Sequence, residues 1–198
     1  MSTTYERSGP DVGKIAANLM ATVEIHKPLK EAGVKIDFLT ARAERDEDNE
    51  PVGSALTKNG HTVLGIARKT NLKERAADRG DAEIIVDGDW WEDASEEEQR
   101  ALLDHEMTHL SVKQTPQGLV KTDDLGRPVI IIRHHDYEVG WFRDVAQRNG
   151  KASLECRYAA SIMERDGQYF WPAIEASANI ETARFTHINA EMAQTKKG

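Results

Sequence analysis

At 198 residues, with 34 acidic against 26 basic side chains and a net charge of −8, the chain is long enough to bury a core as one domain without disulfide support. The acidic balance disfavours tight non-specific binding to nucleic acid, which needs Lys and Arg to displace phosphate counterions. The lone Cys156 rules out an internal disulfide and any cysteine-based metal cluster within one chain. No charged-then-apolar leader opens the sequence, and no apolar run approaches the ~20 residues of a membrane span, which predicts a cytoplasmic protein with no membrane partner.

In chain order, residues 1–10 are polar and read as a flexible end. Asp11 opens a helical pattern with Val12, Ile15, Ala16, Leu19, Met20 and Val23 on one side, disturbed at Pro28 and ended at Gly33. Val34–Leu39 alternates as a strand, and the charged stretch from Ala41 to Pro51 reads as a solvated loop or strand extension. Val52–Leu56 and Thr62–Ile66 flank Asn59-Gly60, a strong hairpin signal, with His61 exposed at the turn. A polar stretch containing Arg79-Gly80-Asp81 leads to a strand over Ala82–Asp87, and Trp90-Trp91 anchor the junction to the next helix.

That helix begins with Ser95-Glu96-Glu97-Glu98, a capping box with three carboxylates at the positive end of the helix dipole. No Gly or Pro interrupts residues 95–113, and Leu103, Met107 and Leu110 form an apolar stripe. Beside it runs His105-Glu106-Met107-Thr108-His109, the pattern H-E-x-x-H. On a helix His105 and His109 project from one face, so two imidazoles can meet one Zn²⁺. Glu106 lies about 100° round the helix from His105, where a carboxylate can take a proton from metal-activated water.

Leu119–Lys121, the turn residues Asp123 to Gly126, and Val129–Ile132 read as a second hairpin. It returns the chain to His134-His135, and a third zinc ligand is expected there, His135 or its rival His134. Asp136 or Glu138 could orient a ligating imidazole, and Tyr137 or His134 could stabilise an oxyanion. Val139, Phe142, Val145 and Ala146 continue as a helix to Asn149-Gly150. Leu154, Tyr158 and Ile162 mark a further helix, Asp166-Gly167 a break, and Trp171-Pro172 the start of a last helical segment.

The order of these parts resembles the putative phage metallopeptidase family over roughly residues 30–150, and more distantly the SprT-like and YgjP-like zincins. The resemblance carries the third-ligand role to His135. It implies an α+β, minimal zincin-like fold, in which a small, mainly antiparallel sheet packs against the H-E-x-x-H helix and further helices. One domain is expected over residues 1–198, with 151–198 as a C-terminal helical extension. The implied chemistry is zinc-dependent peptide hydrolysis in the bacterial host cytoplasm, with His105, His109 and His135 on Zn²⁺, Glu106 as base, Tyr137 as the oxyanion donor and a protein or peptide as substrate. A zinc-stabilised binding protein without hydrolysis and an SprT-like protease acting on DNA-bound protein are the alternatives.

Overall fold

The computed structural model describes residues 3–135 and 142–161. Asp136, Tyr137, Glu138 and the helical segment expected after Trp171 lie outside them. The chain divides into two compact units, Met1–Glu155 and Cys156–Gly198; the first carries all the elements named below.

The architecture is α+β. Its main sheet has the order β1-β2-β6-β5, made of Thr4–Arg7, Ile36–Arg42, Ala82–Asp87 and Gly65–Lys69. β1 and β5 run antiparallel to their neighbours, while β2 and β6 are parallel, with Phe38 opposite Ile84. Small hairpins complete the strands. β3 (Thr57–Lys58) pairs with β4 (His61–Thr62) around Asn59 and Gly60, both at positive φ, as a two-residue Asn-Gly turn requires.

Helix α1 (Pro10–Thr22) buries Val12, Ala16 and Leu19, the stripe visible in its spacing. A 3-10 turn, Glu24–His26, and the short α2 (Lys27–Glu31) follow it. Helix α3 (Leu72–Ala76) separates β5 from β6, and α4 (Gly88–Asp93) carries the tryptophans. Trp91 is buried in the core and its indole N–H donates to Asp11 at 3.2 Å, which fits the packing role expected of it. Helix α5 (Glu96–Thr108) starts at the Ser95/Glu98 capping box, with both reciprocal bonds formed. Leu102, Leu103 and Met107 of α5 join Ile84, Val86 and the α1 stripe in one core. No helix among the described residues is long and apolar enough to cross a membrane.

Four local expectations are corrected. Thr4–Arg7 is an edge strand rather than part of a loose end; all four residues are exposed, so the pairing uses the main chain and leaves no hydrophobic signature. Helix α5 stops at Thr108, short of the Leu110 in its expected apolar stripe. His109 is its C-cap, and its carbonyl accepts from Arg133 N–H at 2.7 Å, which diverts the chain into β7 (Leu110–Val112). The partner of β8 (Ile130–Ile132) is that strand, and the Asp123–Gly126 turn belongs to a narrower excursion closed by single bridges at Gln114–Val120 and Thr122–Pro128. Finally, Thr62–Ile66 pairs back only at its start, where Val63 N–H donates to Leu56 O at 3.1 Å, because Gly65 and Ile66 are committed to β6.

Candidate metal centre

Three elements deliver the site. α5 presents His105 and Glu106, its C-cap supplies His109, and the segment leaving β8 brings His135. The ligand-capable nitrogens of His105, His109 and His135 all lie within 4.8 Å of one another, a group that could hold a metal ion. His105 Nε2 and His135 Nε2 are 3.2 Å apart. Phe142, fully buried ahead of α6 (Arg143–Asn149), has its ring centre 4.8–5.2 Å from all three imidazoles and packs them from one side. His134 is exposed and is not part of this group.

The hydrogen bonds behind the rings set which nitrogen is available. His109 Nδ1 lies 2.7 Å from the carbonyl of Arg133; a carbonyl only accepts, so Nδ1 carries the proton and Nε2 keeps its lone pair. Burial, reinforced by His105, His135 and Lys58, holds the His109 pKa down at about 4, so this ring is neutral at pH 7. His105 Nδ1 lies 2.6 Å from Oε1 of Glu155. Burial alone would lower the His105 pKa, but that bond and the neighbouring carboxylates Glu106, Glu155 and Asp104 raise it.

Glu106 is only 4% exposed, and burial pushes its carboxyl pKa upward despite the opposing pull of His105 and Lys58. It lies so close to β5 that a Cβ added at Gly65 would stand 2.7 Å from Oε1 and 2.8 Å from Cγ. The space is open because residue 65 has no side chain. Beneath the site, Asp104 takes His26 Nε2 at 2.7 Å, Asn149 Nδ2 at 2.7 Å and both Nε and Nη2 of Arg148 at 3.1 and 2.9 Å. These bonds outweigh burial and depress the Asp104 pKa to about 2, and they tie α6 and the turn before α2 to the residue preceding His105.

The donor set fits a borderline, tetrahedrally inclined ion such as Zn²⁺: three imidazoles and no thiolate. The charge environment fits a cation as well, since Glu155 Oε2 is buried without a hydrogen-bond partner. Sequence reasoning found His105, Glu106, His109 and His135, and the structure brings them together. It missed Glu155, Phe142, Gly65 and Asp104. Phe142 stood in the expected apolar stripe, but its contact with three imidazoles had no local signal, and Glu155 looked like one more acidic residue of an amphipathic helix.

Fold and site together define an α+β protein with a three-histidine cluster beside a buried glutamate. The chain belongs to the putative phage metallopeptidase family, whose profile matches residues 3–165. That membership implies a metal cofactor and a protein substrate. Comparison with curated proteins and with solved structures gives no match.

Proposed function

We propose that the protein is a zinc-dependent peptidase in which His105, His109 and His135 hold the ion and Glu106 is the general base. The observation that carries this reading is the convergence of three imidazoles next to a buried carboxylate of raised pKa. Bound zinc would lower the pKa of a water to about 7 and polarise the scissile carbonyl. Glu106 takes the proton of the attacking water and returns it to the leaving amine. Its raised pKa favours the uptake of that proton. Tyr137 is assigned to the developing oxyanion.

A substrate strand cannot add to β6, which is enclosed by β2 and β5. The sheet edge beside Glu106 is β5. Asp87 N–H donates to Leu64 O and Thr70 N–H to Asp81 O, so even-numbered residues of β5 bond inward. The main-chain groups of Gly65, Ala67 and Lys69 therefore face outward; the Ala67 N–H is taken by Glu106, and an extended peptide can pair with the others. A protein substrate in the host cytoplasm fits the net charge of −8 better than duplex DNA does.

Wild type and Glu106→Gln, both zinc-loaded, are to be incubated with a mixed peptide library and host-cell extract, and new termini read by mass spectrometry. Hydrolysis should fall by about 10²- to 10⁴-fold with bound zinc unchanged. Equal cutting by both removes Glu106 as base, and no cutting by zinc-loaded wild type leaves a zinc-stabilised binding protein instead.

A further inference from the structure

Glu155 stands fifty residues beyond His105 in sequence, yet its Oε1 is 2.6 Å from His105 Nδ1. The residue is 2% exposed, and its second oxygen has no partner. A carboxylate removed from water is costly unless it is bonded and its charge is met. Among the described residues no Lys or Arg forms an ion pair with Glu155, and its counterpart is His105.

The local fold explains how Glu155 arrives there. Gly150, at φ +51, ends α6, and a 3-10 turn over Gly150–Ala152 leads to buried Ser153. The Ser153 hydroxyl donates to Gly150 O at 2.8 Å, and residues 154–161 are helical, which places Glu155 in a first turn. The approach is braced by Arg148 and Asn149 on Asp104, one residue before His105. A carboxylate so fixed can hold an imidazole in only one orientation.

We propose that Glu155 is a positioning residue of the metal centre, accepting the Nδ1 proton of His105 so that Nε2 faces His109 and His135, and supplying a buried negative charge that a divalent cation offsets. The inference rests on the three-histidine reading above. It adds a fourth residue, from outside the H-E-x-x-H helix, on which metal affinity depends. Its oxygen acts through His105 and does not touch the ion.

The test is zinc titration against a chromophoric chelator for wild type, Glu155→Gln, Glu155→Ala and His105→Ala, with ¹⁵N NMR of the metal-free proteins over a pH series that reports protonation state and tautomer together. Glu155→Ala should weaken zinc binding by about 10- to 100-fold and release His105 from the Nδ1–H tautomer. Glu155→Gln keeps an acceptor oxygen and loses the charge, so it should keep the tautomer and lie between the two in affinity. It also serves as the folded variant if Glu155→Ala does not fold. Wild-type zinc affinity in Glu155→Gln, together with an unchanged tautomer in any folded Glu155→Ala, overturns the proposal. Full zinc affinity in His105→Ala overturns the three-histidine reading instead, so the two failures are distinct.

Discussion

The molecule buries charge in two places, and it balances them differently. At one end of the sheet, Asp81 is 1% and Arg75 6% exposed. Arg127 Nε donates to Asp81 Oδ1 at 2.8 Å, Arg75 reaches Asp123 at 2.6 Å and the Pro128 carbonyl at 3.0 Å, and Glu83 is held by both Arg68 and Arg79. Each buried carboxylate there meets a guanidinium. Around the histidines, Asp104, Glu106 and Glu155 are equally buried, but the permanent cation hydrogen-bonded among them is Arg148, on Asp104. The first cluster is complete within the chain and works as a structural clamp. The second has negative charge that, among the described residues, no permanent cation beyond Arg148 meets, which is what a cation site needs before its ion arrives.

That contrast can be broken most forcefully at Arg75. Arg75→Met strips the Asp81 and Pro128 carbonyls of their buried donor and should cost about 3 kcal/mol of stability, read by urea unfolding. Zinc affinity should stay at the wild-type level, and a parallel loss of zinc would show that the clusters are one network.

A smaller effect is expected at Gly65, where position rather than charge is at stake. Its backbone is not in the left-handed region, so Gly65→Ala should fold and bind zinc normally. The new methyl displaces Glu106, and kcat should fall about 10²-fold, the scale of a misplaced reacting group. Combined with Glu106→Asp, whose shorter side chain leaves room for the methyl, it should cost little beyond Glu106→Asp alone. Additive losses would deny the contact.

The smallest effect is acid sensitivity. With its pKa depressed from 3.8 to about 2 in the fold, Asp104 contributes stability that is fully present above its unfolded pKa and is lost as the pH falls through 2. The loss should amount to about 2 kcal/mol. Urea midpoints of the metal-free protein between pH 5 and 2 should fall, and Asp104→Asn should remove that part of the slope.

Local signals made much of this legible beforehand. The capping box fixed the start of α5, the Asn-Gly pair fixed a turn, the apolar run over Ala82–Asp87 fixed a strand, and H-E-x-x-H with a later histidine fixed the ligand candidates. What escaped was set by partners distant in sequence. Alternation marks a strand but not its neighbour, so the parallel pairing of β2 with β6 and the edge position of β5 were hidden. A polar edge strand such as β1 has no pattern to read. The end of α5 at His109 depends on a bond from Arg133, and Glu155 acquires meaning only when its turn folds against His105.

His109 and Arg133 grip each other twice, main chain to main chain and ring to main chain, both at 2.7 Å. That double bond works as a ruler: the spacing from the second histidine to the third is measured across the β7–β8 ladder, two residues short of His135, and not along the 23 residues that separate His109 from Arg133 in the chain. The exposed tip around Thr115 to Leu119 is therefore free to drift in evolution. Insertions or deletions there can reshape that surface while the separation of the histidines is kept.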